Sequence, residues 1–441
     1  MIVGDGFRAI GSVTIDGEKI TRVDLSQTAP ADISTDEYDV VPCQDKFILP
    51  GVIDEHVHFR DPGMTEKGTI ASESRAAVAG GVTSFFDMPN TNPQTVTIQA
   101  WEDKMEHAAN VSAANYAFFI GATNNNLQEI LSADRSLVPG VKLFMGSSTG
   151  GMLVDDDSEI RQLFTKFGGV IACHAESETV IARNRQLLME QYPDGIPVGM
   201  HSRIRSSEAC YESTARAVKL AQETHARLHV MHITTADELA LFALGDLREK
   251  HITAETCPHY LCFTEESVEL TGGLTKCNPA LKTEADRQAL LRAIADGRID
   301  VIATDHAPHL LVQKMGGTAL TAASGMPSVQ FSLPVMLQLT DMGYFSVEDV
   351  VRKMSSAPAQ LFGIAERGFI QNGYFADLVV VNPNADYTIT RNCVLSPCGW
   401  SPYEGMKLHY RVEQTWVNGD LAYANGEFTN RQNARALKFN Y

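Results

Sequence analysis

The chain has 441 residues, 44% hydrophobic and 20% charged, with no long polar or repetitive tract, which is enough for a large core in one big domain or two. A net charge of −18 argues against general binding to nucleic acid or to an anionic membrane, and obliges any anionic substrate to find a local cationic clamp. No stretch approaches the roughly 20 apolar residues that span a bilayer and the N-terminus lacks a signal-peptide pattern, so a cytoplasmic location is the default expectation.

Residues 1 to 47 read as alternating strands with hairpin chemistry, as in "GSVTIDGEKITRVDL". From about residue 48 to 310, strand-like and helix-like segments alternate. The β-rich runs are "FILPGVIDEHVHF", "VTSFFDMP", "NYAFFIGAT", "GVKLFMG", "GVIACHAE", "RLHVMHIT", "HITAETCPHYLCF" and "IDVIATDHAP". Segments of helical period lie between them, such as "SEACYESTARAVKLAQETHA" and "TEADRQALLRAIADG". Repeated βα units over this length predict an α/β fold of the (β/α)8 TIM-barrel type. An open doubly wound sheet is the alternative, and the absence of G-x-G-x-x-G after the first strand counts against it. Residues from about 365 onward return to strands and turns ("FADLVVVNP", "RVEQTWVNGDLAYANGEF"), so both termini are expected to build one small β-sandwich beside the barrel. The expected divisions are 1–48, 49–362 and 363–441. The eight cysteines, at 43, 173, 210, 257, 262, 277, 393 and 398, match no zinc-ribbon or redox spacing and read as reduced, mostly buried thiols.

Active sites of such barrels lie at the C-terminal ends of the strands. Those ends carry His56, His58 and Arg60 in strict alternation, then Asn90, His174, His232, and Asp305 with His306 and His309; Lys142 opens the fourth run. Each has an ordinary reading alone: an isolated H-x-H is short and common, and an Asp before a loop is usually a cap. Together, His56, His58, His174, His232 and Asp305 are more ligands than one catalytic metal takes, and they fit a two-metal site. Such a site needs a bridging anion, and the fourth run offers Lys142 where a carboxylate would serve. A neutral lysine can add carbon dioxide to give a bridging carbamate, but on residue chemistry alone a salt-bridged lysine is the favoured reading. His306 and His259 read as structural, and His229, three residues before His232, faces away from it.

The motifs "PGVIDEHVHFRDPG", "AGGVTSFFDMPNTNP", "GVKLFMG", "CHAE", "HITTADELALF", "ETCPHYL", "CNPALK" and "ATDHAPH" occur in family order, and through them the chain resembles the dihydroorotases of the cyclic amidohydrolase superfamily. The resemblance implies a metal-dependent amidohydrolase barrel over 49–362 and two zinc ions per chain. His56, His58 and Asp305 would hold one ion, and His174 and His232 the other. Lys142, as N6-carboxylysine formed from carbon dioxide, would bridge them. It assigns Arg60, Asn90, Asn278 and His309 to the substrate carboxylate, with contacts near Ser324 and Gly325, and Asp305 to proton transfer. The implied reaction is the reversible hydrolysis of dihydroorotate to N-carbamoyl-aspartate in pyrimidine synthesis, by a cytoplasmic homodimer or other homo-oligomer acting on a small molecule. Departures are Lys282 where relatives often have arginine, a 310–325 loop without acidic residues, and an N-terminus expected to lack an opening strand. An allantoinase or a hydantoinase-type enzyme is the enzymatic alternative, though such relatives generally lack the arginine at position 60. A catalytically silent scaffold is the alternative from another class.

Overall fold

The structure is a computed structural model describing residues 1–26, 38–146, 152–154, 156–429 and 433–440. Its centre is a series of parallel strands. Val52–Val57, Val82–Asp87 and Asn115–Phe118 pair in that order. A second parallel set runs from Ile120–Gly121 through Val141–Phe144, Val170–His174, Arg227–Val230 and Ile252–Thr256 to Val301–Ile302. Almost every residue of these strands is buried, as expected of parallel strands covered on both faces. A parallel bridge between Val57 and His306 brings the end of the series back against its first strand.

Helices connect the strands, and their ends follow capping chemistry. The helix Ser207–Thr224 starts where the Ser206 hydroxyl accepts the Ala209 N–H, and it ends at His225, whose φ is 57°. Glu284–Asp296 opens with a reciprocal Thr283/Asp286 capping box and stops at Gly297 in the left-handed region. An apolar cluster that includes Ile53, Phe86, Phe119, Ala172 and Val301 fills the space between strands, with Phe362 and Phe439 packed on Phe86.

Both termini build an antiparallel-rich sheet of eight strands. Its order is Glu427–Phe428, Asp420–Ala424, Arg411–Val417, Leu378–Asn382, Phe47–Pro50, Ile2–Gly4, Phe7–Asp16 and Lys19–Ser26. The N-terminus does have an opening strand, contrary to expectation. Ile2–Gly4 is fully buried and pairs with both Phe7–Asp16 and Phe47–Pro50. Its three residues are too short to show a period-2 pattern, which is why the sequence hid it. The run "FILPGVIDEHVHF" is likewise two strands, Phe47–Pro50 in the terminal sheet and Val52–Val57 in the parallel series. The run "HITAETCPHYLCF" is a strand only to Thr256, because Pro258 opens a short helix, Pro258–Cys262. The cysteines are all free, and five of the eight are buried. Among the described residues no helix is long and apolar enough to cross a membrane.

Candidate active site

One cavity collects nearly every residue singled out above. His56, His58, Arg60, Asn90, Lys142, His174, His232, Asn278, Asp305, Ser324 and Gly325 line it, and Phe144 and Ala307 complete the wall. His309 does not line it; it stands behind Arg60, its Nε2 3.2 Å from the guanidinium. The expected single strand through Arg60 ends at Val57. His58 remains alongside through its N–H bond to the His306 carbonyl at 2.7 Å, while Arg60 turns at φ 69°. His232 (φ 44°) and Asp305 (φ 45°) share this uncommon left-handed backbone. Strained backbone of this kind concentrates at functional sites.

The imidazoles are aimed by their outer neighbours. His56 gives its Nδ1–H to Glu255, at 3.0 and 3.1 Å from the two carboxylate oxygens, which leaves Nε2 facing Asp305 Oδ1 at 3.3 Å. His58 gives its Nδ1–H to Asn90 Oδ1 at 2.7 Å, and its Nε2 also faces Asp305 Oδ1, at 3.1 Å. His174 is held through Nε2 by Glu176 at 3.0 Å, leaving Nδ1 available, and Glu176 is itself paired with the buried Arg205. The His174 and His232 rings lie 4.6 Å apart between centroids, and those of His56 and His232 5.4 Å.

Electrostatics favour neutral rings at His58, His174 and His232 beside an ionised Asp305, whereas Glu255 and then Asp305 outweigh burial at His56 and raise its pKa. Burial, then the neighbouring His174 and His56, push His232 well below the usual histidine range; burial takes His58 to about 4 despite its Asp305 partner. Burial alone would raise Asp305, but His56 and His58 outweigh it and hold it well below the usual carboxylate range. Glu176, raised by burial, is drawn down to about 2 by Arg205 and then His174. Arg60, lowered by burial to about 10, still carries its charge at neutral pH.

The donor set fits metal ions. The ligand atoms of His56, His58 and Asp305 lie within 4.8 Å of one another. His232 Nδ1 is buried with no hydrogen-bond partner, which is costly unless something else occupies it. Lys142 is 1% exposed, and among the described residues no carboxylate stands within 4.0 Å of its Nζ, whose contact is Met231 Sδ at 2.6 Å. The salt-bridged lysine favoured on residue chemistry alone is therefore not what the structure holds. Burial lowers the Lys142 pKa, toward the neutral amine.

Several supporting residues escaped the sequence reading. Glu255, near the end of the buried strand Ile252–Thr256, also accepts the backbone N–H of His232 at 3.1 Å, so it braces both His56 and His232. With Glu55 and His229 it forms a second buried group whose potential ligand atoms lie within 4.8 Å of one another; His229 bonds Glu55 at 2.8 Å and the Thr253 hydroxyl at 2.8 Å. A charged residue inside an apolar strand run was the available signal, and so was Glu176, two residues past His174. His306 is structural, donating to Glu73 at 2.8 Å while its Nδ1 accepts the Ser328 and Val329 N–H groups. Both ring nitrogens of the buried His259 lack a hydrogen-bond partner.

Comparison with known proteins agrees with this geometry. Residues 47–422 match the amidohydrolase family. The dihydroorotase of Halobacterium salinarum is 34% identical over 409 residues, covering 92% of this chain and 91% of that protein. The allantoinase of Streptomyces avermitilis is 35% identical over 392 residues, covering 87% and 86%. Among solved structures, the L-hydantoinase (dihydropyrimidinase) of Arthrobacter aurescens superposes with a TM-score of 0.91 at 26% identity, covering all of this chain and 98% of its own. With its histidines and Asp305 gathered around one cavity at the ends of parallel strands and a family match spanning residues 47 to 422, the chain belongs to the amidohydrolase family.

Proposed function

We propose that the protein is a dihydroorotase, opening the six-membered ring of dihydroorotate to N-carbamoyl-aspartate and closing it again, on a (β/α)8 barrel flanked by a β-sandwich from both termini. The observation that carries this reading is Arg60. Arg60 is 3% exposed and lines the cavity, and among the described residues no carboxylate lies within 4.0 Å of its guanidinium. A buried cation facing a cavity calls for an anion, and dihydroorotate brings a carboxylate where allantoin and dihydrouracil have none.

His56, His58 and Asp305 would hold one zinc ion and His174 and His232 a second, with Lys142, after adding carbon dioxide and releasing a proton, as the bridging carbamate. Ions held there would supply Lewis acidity, lowering the pKa of a water and polarising the ring carbonyl. Asp305 takes the proton of the attacking water and passes it to the departing ring nitrogen. His56 and His58 hold it ionised, so its oxygens carry no proton at neutral pH. Arg60 is oriented by its Nε donating to the Pro308 carbonyl at 3.1 Å, and its charge grips the substrate carboxylate. Asn90 and Asn278 have their side-chain oxygens engaged by His58 and by His201, so each meets an anion through its amide N–H groups, which is the polarity a carboxylate requires. His309 Nε2 lies 3.0 Å from the Ser324 carbonyl, to which its N–H donates, and 3.2 Å from the guanidinium, so the ring packs against the clamp from behind.

The second reading is an allantoinase, favoured by a relative as similar as the dihydroorotase. A rate panel with dihydroorotate, allantoin, hydantoin and dihydrouracil decides. Turnover confined to the carboxylate-bearing ring supports the proposal, and preference for allantoin overturns it.

A further inference from the structure

The loop after His309 contains Lys314, a lysine 0% exposed whose Nζ lies 2.7, 2.9 and 2.8 Å from the carbonyl oxygens of Lys276, Ala323 and Gly325. These acceptors come from two separate segments. One leads within two residues to Asn278, and the other contains Ser324 and Gly325, so both reach the cavity wall. We propose that Lys314 is a positioning residue, an internal clasp that fixes the Asn278 and Ser324–Gly325 walls against each other and so sets the geometry of substrate binding. The inference rests on the reading above in one respect, that these three residues meet the substrate.

Three carbonyl partners at those distances use all three N–H bonds of an ammonium; a neutral amine has two. Burial, with Lys276 and Arg60 as neighbouring cations, lowers the Lys314 pKa to about 7, so charge is kept in this interior only because the carbonyls meet it. The surroundings are built to the same end. The Gly325 N–H donates to the Lys276 carbonyl at 2.9 Å, and Lys276 Nζ reaches Ser324 Oγ at 3.0 Å. The Trp400 indole sits 5.7 Å from the ammonium and donates its N–H to the His309 carbonyl at 2.8 Å. Gly325 has φ 132°, and a side chain there would strike the Ala307 carbonyl and the His309 ring, so the strand of wall it forms has one workable path. The clasp also reaches the proposed anion clamp, because the Ser324 carbonyl lies 3.0 Å from His309 Nε2, beside Arg60.

The test uses the full-length, metal-loaded enzyme with Lys314→Met. Amide exchange in peptides covering 318–328 should quicken at least about tenfold. Metal content should be unchanged, and KM for whichever ring is turned over should rise roughly tenfold or more with kcat within about threefold. Unchanged exchange and KM overturn the proposal, as does a loss of kcat that tracks loss of metal. If Lys314→Met does not fold, the same readouts on Lys314→Gln, which keeps two donors without the charge, decide between the same outcomes. Exchange needs no substrate, so failure of the clasp is distinguishable from failure of the dihydroorotase reading.

Discussion

Glu255 straddles the Nδ1 of His56, with its two carboxylate oxygens at 3.0 and 3.1 Å. That contact fixes the tautomer and leaves Nε2 for the cavity, and the same carboxylate receives the His232 backbone N–H. Carboxylates behind ligating histidines typically contribute 10–100-fold in metal affinity. Glu255→Gln should therefore weaken zinc binding by about that factor, since an amide can present N–H to His56 and reverse its tautomer. Chelator competition on the purified variant measures it. Wild-type affinity in a folded Glu255→Gln would show that ring orientation is set by packing alone.

Lys142 has no carboxylate partner among the described residues, so its removal tests the bridge directly. Lys142→Ala should lose the metal pair and nearly all activity, with partial recovery in short-chain carboxylic acids that supply the missing oxygens. Two metals per chain and a normal rate in the variant would make the lysine a packing residue only.

How much of this was legible in the sequence follows from what kind of contact each feature makes. Candidate ligands recur at strand ends as polar residues after apolar runs, so His56, His174 and Asp305 announce themselves locally. Partners come from other strands. Glu255 lies 199 positions from His56, and Asn90 lies 32 from His58, and no periodicity reports such pairings. Asn90 shows the consequence, since the family resemblance assigns it to the substrate while in the structure its oxygen accepts from a histidine. Strand boundaries failed where backbone, not pattern, decided: Arg60 sits at a positive φ that alternation cannot foresee.

Arg205 and Glu176 form a buried ion pair behind His174. Removing one member of such a pair leaves an uncompensated charge and typically costs about 3–5 kcal/mol. Arg205→Met should lower stability to urea by roughly that amount and lower metal content with it, because Glu176 would no longer be held against His174. Denaturation of the metal-free protein isolates the first effect. Unchanged stability there would mean that Glu176 takes up a proton or another cation at little cost.

In the proposed reading, Arg60 distinguishes a carboxylate-bearing ring from a neutral one. Truncating one partner of a buried charged pair typically costs ~2–5 kcal/mol. Arg60→Met keeps much of the stem and removes the charge, so kcat/KM for dihydroorotate should fall by roughly 30-fold to several-thousand-fold, at ~1.4 kcal/mol per tenfold. Any weak turnover of dihydrouracil, which has no carboxylate, should change little. Arg60 is two residues from His58 and props His309, so collapse of the ligand cluster is the competing explanation. Zinc measured in the same sample separates them. If the variant keeps its metals yet loses both substrates equally, Arg60 supports the ligand cluster and does not read the carboxylate. If instead the wild-type enzyme prefers allantoin and Arg60→Met leaves that rate intact, the buried guanidinium serves neither ring, and the allantoinase reading replaces the dihydroorotase one.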